Sequence, residues 1–560
     1  DVPAANRWIP QDAVIAMELT RPKAVLEMLT GEEMTTAISG LPLYKQLTSR
    51  PKFQEFVKTI RFLELSLGTD WRTAAAKLTG GGITFAVLPE GDGAAVLIVE
   101  AEDGQMLEKL HGILLNIART EAGNAGQSER VASKEYEEVK AWTFNGGAEA
   151  HAIVDNRFVL SNKPEGLRAV LELRGGQGES LASNRAYRAA RRAAGRGVVA
   201  RAFVNLKPLM GIPNIAKALN NDRTNALAAL VFCGIAEAVR ESNWLSLGLE
   251  IEDDSLILQM SADGVAETTG DAAFALPGAE GQGAPANLKV PRRLAAVSLY
   301  RDLHKFYSSK DELFPERTSG LIFFENMMGI FFSGRDLTSE VLAQTGPEIR
   351  LVVAEQKYDP EIGTPLVKLP AFAAVFKLRD PEKFRIVVEE AWQKAVGLIN
   401  FTRGQQAMPG LIIERPVQGE TTFTTAYFSS EEVEDKTKLD QRFNIRPSVA
   451  MPRDYLILSS SDGLTRDLID VLEAGGSSEP MAGMHSAVEI DGGQVASILR
   501  MNRETLVLGD MVKKGKTREQ SEAGIDLMTN LIDLLKQAKF SIGTEEGLTR
   551  GMLELKLDLD

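Results

Sequence analysis

The sequence contains one series of landmarks twice, and this internal repeat constrains the fold more than any other feature. The first copy covers about residues 9–263 and the second about residues 290–560. Six apolar segments recur in the same order, which pairs residues 16–19 with 296–299, 83–87 with 349–353, 95–99 with 374–378, 158–161 with 456–459, 199–204 with 486–490 and 247–249 with 542–544. Solenoid units run to roughly 20–50 residues, so copies of this length predict two full domains.

Each copy predicts the same succession of elements. A strand and helices come first, then a hairpin and a helix. A second run of three strands and another helix follow, and a strand, a helix and two strands close the copy. Asp103 and Asp380 lie where the helices after the hairpins need an N-cap. Strands joined by tight turns, with helices inserted between them, favour a mostly antiparallel sheet covered by helices. The predicted fold class is α+β, with tandemly duplicated domains at residues 1–263 and 290–560 and a Gly/Pro/Ala-rich linker at residues 264–289.

The composition argues against two classes of partner and against a membrane span. The chain has 63 Lys and Arg against 77 Asp and Glu, a net charge of −14, whereas nucleic acid and anionic lipid both attract basic surfaces. No stretch reaches the roughly 18–20 apolar residues of a transmembrane segment, so none is predicted. Residues 226–236 form the closest apolar run and predict a buried helix. The single cysteine, Cys233, lies in this run and is expected to be a buried structural thiol.

The first residues bear on localisation. Residues 1–6, Asp-Val-Pro-Ala-Ala-Asn, are polar and irregular, which is typical of a mature N-terminus after removal of a signal peptide. A boundary chosen for expression would look the same. The expected localisation is the periplasm, the cell envelope or the outside of the cell.

Two short blocks resemble a known bacterial family. Residues 8–13, Trp-Ile-Pro-Gln-Asp-Ala, precede a strand and an apolar helix. They are similar to the Leu-Pro-Ala-Asp-Thr opening of an exported family designated domain of unknown function 3352. Residues 180–190, Ser-Leu-Ala-Ser-Asn-Arg-Ala-Tyr-Arg-Ala-Ala, resemble that family's Ser-Leu-Ala-Asp-Asn block. The resemblance implies an exported bacterial protein and carries no activity, cofactor or catalytic residue.

The reactive residue types form no recognisable catalytic or metal-binding pattern. The histidines, His111, His151, His304 and His485, include no pair at the i, i+4 spacing of a helical metal site. His485 in Gly-Met-His-Ser comes nearest to a catalytic residue. Residues 506–517 resemble a phosphate-binding loop, but five residues instead of four separate the glycines and Asp510 adds a negative charge. We predict no catalytic residue, no metal site and no cofactor.

Two segments are candidate binding surfaces. Arginines at spacings of three and four predict a basic stripe along one helix, which would suit a polyanion or acidic partner or be a solvated helix face: Arg185, Arg188, Arg191 and Arg192. Residues 321–332 are rich in the side chains of adaptable apolar surfaces: Phe323, Phe324, Met327, Met328, Phe331 and Phe332. Their position before the hairpin of the second copy favours core packing, and the alternative is a groove for an apolar ligand, a partner segment or the sister domain.

Three classes of function follow from these observations. The first is non-catalytic binding or scaffolding through protein contacts at the cell envelope or outside the cell, with a protein partner or self-association. The second is a carrier of a small apolar ligand held between helices and sheet. The third is an enzyme whose catalytic carboxylates cannot be recognised from their spacing in the sequence. Between a catalytic and a non-catalytic protein, we favour the non-catalytic one.

Overall fold

The computed structural model describes residues 4–39, 44, 48–89, 93–136, 138–144, 149–195, 197–211, 226–252, 254–265, 273–278, 280–314, 318–358, 361–475 and 479–558. The chain forms two compact units. The first consists of Asp1–Ala218, Val239–Gly264 and Leu559–Asp560, and the second of Leu219–Ala238 and Val265–Asp558. Each unit is a helix-covered antiparallel sheet, so the predicted α+β fold class is confirmed.

The first unit contains one antiparallel sheet of ten strands among the described residues. The strands are β1 (Ile15–Leu19), β2 (Gly82–Val87), β3 (Ala95–Glu100), β4 (Ala132–Tyr136), β5 (Val139–Phe144), β6 (Glu149–Val154), β7 (Arg157–Ser161), β8 (Ala200–Asn205), β9 (Trp244–Glu252) and β10 (Ser255–Ala262). Their order across the sheet is β4-β5-β6-β7-β3-β2-β1-β8-β9-β10.

Helices of the first unit precede, interrupt and cover this sheet. They are α1 (Pro22–Thr30), α2 (Glu32–Ser39), α3 (Pro51–Leu67), α4 (Trp71–Thr79), α5 (Gly104–Asn124), α6 (Pro164–Arg174), α7 (Arg185–Ala193) and α8 (Leu206–Met210). As predicted, Asp103 caps α5, because its side chain accepts a hydrogen bond from the Met106 N–H. A further helix, α9 (Ala226–Arg240), begins in the second unit and ends in the first.

The second unit contains a ten-stranded antiparallel sheet with the same order of equivalent strands. Its described strands are β11 (Arg293–Tyr300), β12 (Thr345–Ala354), β13 (Ala371–Leu378), β14 (Leu411–Glu414), β17 (Thr424–Phe428), β18 (Ser448–Ala450), β19 (Tyr455–Ser459), β20 (Met484–Asp491), β21 (Leu535–Glu545) and β22 (Leu548–Leu557), with a separate small hairpin of β15 (Val417–Gln418) and β16 (Thr421–Thr422). The order is β14-β17-β18-β19-β13-β12-β11-β20-β21-β22.

The helices of the second unit follow the same plan. They are α10 (Leu303–Ser308), α11 (Lys310–Leu313), α12 (Thr318–Phe331), α13 (Pro381–Gln405), α14 (Asp462–Glu473), α15 (Gly492–Met501), α16 (Arg503–Lys514) and α17 (Arg518–Leu534). Asp380 caps α13 as predicted, since its side chain accepts a hydrogen bond from the Lys383 N–H. A hydrophobic core of this unit lies between α14 and the strands β12, β13 and β19.

Strand register aligns the two copies more finely than the sequence does. Met17 in β1 pairs with Phe85, and Val297 in β11 pairs with Leu351, as the repeat predicts. Two segments differ. Ala95 opposes Val87 in the first unit whereas Phe372 opposes Val353 in the second. Likewise, Leu247 opposes Ala202 whereas Phe540 opposes Val488. The sequence alignment of these two segments, residues 95–99 with 374–378 and residues 247–249 with 542–544, is therefore wrong by two residues. A shift of two leaves every side chain on the predicted face of the sheet.

Two sequence assignments differ from the structure. The second run of strands has four members in each unit rather than three, because β4 and β18 are largely polar or very short and carry little apolar periodicity. Residues 506–508 lie in α16 and not in a strand. Gly515 ends this helix in a left-handed conformation (φ 63°), and Thr517 caps α17, so the segment that resembled a phosphate-binding loop is a connection between two helices.

Part of the first copy packs in the second unit. Ala229 and Ala238 of α9 are buried against Phe274 and Leu276, which the sequence placed in the linker. The buried Arg301 guanidinium donates to the carbonyls of Leu230 and Val231 at 2.6 and 2.8 Å. Residues 274–276 and Leu288 therefore belong to the core of the second unit.

Candidate functional site

An open apolar groove lies on one face of the first unit's sheet. Ala16 and Glu18 point to the buried face, and Met17 between them is 47% exposed on the other face. Met17 pairs in register with Phe85 and Ala202, which extend the exposed face across three strands. The groove has a volume of about 300 Å³, and the apolar side chains along it include Met17, Ile83, Phe85, Leu247, Leu249 and Leu258.

The second unit exposes the equivalent face of its own sheet. Val297, the counterpart of Met17, pairs with Leu351 and Val488. Along the same face, Phe372 is 60% exposed and Leu458 41% exposed. Contiguous apolar surface of this kind marks interaction sites in soluble proteins. The repeat of the feature in both units favours a binding surface over an accident of one strand.

The sequence analysis did not identify this face. A sequence pattern that could have indicated it occurs in segments such as Ile-Thr-Phe-Ala-Val (residues 83–87) and Ala-Val-Leu-Ile-Val (residues 95–99). These segments are apolar at nearly every position. A strand with one face in water alternates between apolar and polar residues, so continuous apolar strands indicate that both faces contact apolar groups.

A polar cluster lies under α7, on the buried face. The Tyr187 hydroxyl donates to a Glu18 carboxylate oxygen and accepts from Asn6 Nδ2 at 2.6 Å. Burial, followed by the Glu18 charge, raises the pKa of Tyr187. Arg201 lies beside Glu18 on the neighbouring strand and donates to the Gly195 carbonyl. Asn6, Glu18 and Tyr187 are all buried. The cluster therefore fixes α7 to the sheet and does not line an open cleft.

The two blocks that carry the family resemblance meet at this cluster. The Leu181 N–H donates to the Ile9 carbonyl at 2.7 Å, and Asn184 Nδ2 donates to the Gln11 carbonyl at 2.7 Å. Asn184 also caps α7 by accepting from the Tyr187 N–H. The residues of these blocks therefore have a structural role.

The histidines form one pair that the sequence did not predict. Nε2 of His111 in α5 lies 3.0 Å from Nε2 of His151 in β6. Burial, followed by the charge of His111, lowers the pKa of His151 to about 4. His485 is buried, and its Nε2 lies 3.0 Å from the Thr544 hydroxyl. His304 Nδ1 contacts the Thr338 carbonyl at 3.1 Å.

The phenylalanine- and methionine-rich segment forms most of α12 and divides into two sides. Met328 and Phe332 pack against a core cluster that includes Phe384 and Leu456. Phe323 is 71% exposed, Phe324 and Met327 are also exposed, and Phe331 is half-buried. The side chain of Leu321 lies outside the described residues. This helix does not line the groove of the first unit. It also does not line two cavities of the second unit, one beside Tyr300 and one beside Ser461.

The arginine stripe lies along α7. Arg185, Arg188 and Arg192 are exposed, whereas Arg191 is half-buried toward Arg201. The structure thus presents three of the four arginines on one surface.

The described part of the chain also bears on metal binding, redox chemistry and membrane insertion. No group of three or more His, Cys, Asp or Glu side chains is close enough there to hold a metal ion. The Cys233 side chain lies outside the described residues. Within the ranges described, the helices are too short or too polar to cross a membrane.

Comparison with known proteins gives only distant structural likeness. No family model matches the chain, and no curated protein matches it. Crystal form III of TP0453 superposes with a TM-score of 0.25 and 7% identity over 48% of this chain and 83% of that chain. Crystal form I gives 0.25 and 8% over 48% and 81%. Likeness at this level carries no argument about the function of the present chain.

Proposed function

We propose that the protein is a non-catalytic binding or scaffolding protein, and that the apolar sheet faces are its contact surfaces for a protein partner or a second copy. The observation that supports this proposal most directly is the exposure of the same apolar face in both units, with Met17 and Phe372 among its most exposed side chains. The resemblance of residues 8–13 and 180–190 to an exported bacterial family supports action at the cell envelope or outside the cell.

Substitution on the exposed face of the second unit tests the proposal. Phe372→Ser with Leu458→Thr removes apolar area of which about half is already in water, so we expect the fold to survive with a moderate loss in the free energy of unfolding. We expect light scattering coupled to size exclusion, with native mass spectrometry, to show a multimer or a bound polypeptide for the original chain and its loss in the variant. Ile386→Ser, at an exposed apolar position on α13, is the matched control. A monomer without a bound polypeptide in both proteins would sink the proposal.

The groove of the first unit favours a second candidate, a carrier of a small apolar ligand. Its volume of about 300 Å³ and its apolar side chains suit an apolar molecule of modest size. Met17→Asp would place a charge in the groove and should abolish saturable binding of the fluorescent probe N-phenyl-1-naphthylamine. Leu65→Ser, at an exposed position on α3, is the control. Equal probe binding by all three proteins would contradict the carrier hypothesis.

A further inference from the structure

A polar cavity lies in the second unit at the start of α14. It has a volume of about 180 Å³, and its wall includes the cations Arg292, Lys357 and Arg466 together with Ser461 and Gly463 at the beginning of the helix. This cavity is chemically unlike the apolar sheet faces and plays no part in the function proposed above.

The start of α14 has the properties of an anion site. Ser461 is the N-cap residue, but its side chain makes no capping hydrogen bond. The N–H groups of the first turn have no partner within any α-helix, and the aligned peptide dipoles place about half a positive charge at this end. At twelve residues, α14 is long enough for these effects to be developed.

Ser461 provides an independent indication of a ligand. The residue is only 6% exposed and lines the cavity. Its backbone N–H and carbonyl bond to the Ser459 hydroxyl, whereas its own hydroxyl has no partner among the described residues. That hydroxyl lies 3.6 Å from the position of a Cβ on Gly463, so both border the same open space. The hydroxyl of this largely buried residue is therefore free to exchange a hydrogen bond with a group in the cavity.

The charges of the wall favour an anion. Arg292 forms an ion pair with Asp467 at 3.3 Å, which compensates this carboxylate within the wall. Arg466 Nη1 donates to the neutral Gln418 side chain at 3.3 Å, and Lys357 is exposed at the rim. Glu355 is the other acid of the wall. Three cations and a helix N-terminus thus face two carboxylates, one of which is already paired.

We propose that this cavity binds a phosphate group. The first-turn amides of α14, the Ser461 hydroxyl, Lys357 and Arg466 together offer more donors than the two oxygens of a carboxylate accept, whereas a phosphate group has three or four oxygens. A free phosphate ion and the phosphate of a larger ester present the same oxygens, and the two sources are separated by experiment.

Isothermal titration calorimetry of the whole chain in phosphate-free buffer tests the site, with inorganic phosphate and glycerol 3-phosphate as probes. We expect saturable binding at one site. Binding of both probes assigns the site to the phosphate group itself, and binding of glycerol 3-phosphate alone assigns it to an ester. Absence of binding by both would overturn the proposal.

Variants distinguish this site from general attraction to cations. Gly463→Val fills the space beside the Ser461 hydroxyl, and Lys357→Gln removes a charge from the rim, so each should raise the Kd about tenfold. Asp467→Asn removes a carboxylate and should lower the Kd severalfold. Lys513→Gln, at an exposed position on α16, is the matched control and should bind like the original chain. Equal weakening in Lys513→Gln and Lys357→Gln would refute the site.

Discussion

Burial of His151 in the first unit opposes its protonation and lowers its pKa to about 4. Its ring is 2% exposed and stacks on Phe144 at 4.8 Å, and Nε2 lies 3.0 Å from Nε2 of His111. Because a hydrogen bond between two imidazoles needs one lone pair, the contact requires at least one neutral ring. Burial, followed by the Arg119 charge, lowers the pKa of His111 as well. The fold therefore favours the uncharged pair.

This preference predicts how stability changes with pH. Between the ordinary histidine pKa of about 6.5 and the folded-state value of about 4 for His151, the unfolded chain binds a proton that the folded chain does not. The free energy of unfolding should therefore fall as the pH is lowered through this range, by about 2–3 kcal/mol for His151. His151→Phe keeps an aromatic ring at this buried position and should remove this part of the pH dependence.

Urea unfolding followed by tryptophan fluorescence measures the effect. Four of the five tryptophans belong to the first unit, namely Trp8, Trp71, Trp142 and Trp244, so the signal reports mainly on this unit. The same fall in stability between pH 6.5 and pH 4 in His151→Phe and in the original chain would show that the pair does not control it.

At the scale of elements, α7 shows how one helix is fixed by both packing and polar contacts. Asn184 caps it, Tyr187 and Ala190 are buried against the sheet, and the exposed arginines lie on its other side. The arginine spacing predicted this helix and its exposed side. The contact of Tyr187 with Glu18 could not be predicted, because the two residues lie 169 positions apart and a glutamate in a strand normally points to water.

Removal of the Tyr187 hydroxyl should weaken the first unit. Tyr187→Phe leaves the buried Glu18 carboxylate without its donor, which is expected to lower the free energy of unfolding by about 2–3 kcal/mol. Glu18→Gln in the Tyr187→Phe background should restore part of the loss, since a neutral amide costs less to bury than a carboxylate. Urea unfolding followed by tryptophan fluorescence measures both changes. Arg188→Gln, on the exposed side of α7, should stay within about 0.5 kcal/mol of the original chain.

The features that the sequence analysis missed have in common that hydrophobic periodicity does not distinguish them. The polar strand β4 pairs with β5 through backbone hydrogen bonds, which leave no trace in side-chain periodicity. Residues 506–508 in α16 form a short apolar run in which Val507 is fully buried and Leu508 is exposed. A run of this length is equally compatible with a strand. The open sheet faces were missed for a related reason, since apolar residues on both sides of a strand give no contrast between buried and exposed positions.

At the scale of the whole molecule, a large negative charge accompanies the exposed apolar faces. The net charge is −14 at pH 7, and the isoelectric point of the sequence is about 5.1. Charge repulsion between copies opposes association through apolar surface. If the faces bind a partner as proposed, this repulsion would limit self-association through them at neutral pH.

Lowering the pH toward 5.1 should expose the attraction between these faces, because the net charge then approaches zero. We expect light scattering to show a rising average mass between pH 7 and pH 5.5, a range above the His151 value of about 4. Added salt at pH 7 should act in the same direction, since the screening length falls to about 8 Å at 0.15 M. Phe372→Ser with Leu458→Thr should suppress the rise and Ile386→Ser should not. An equal rise in all three proteins would mean that surfaces other than the sheet faces drive association.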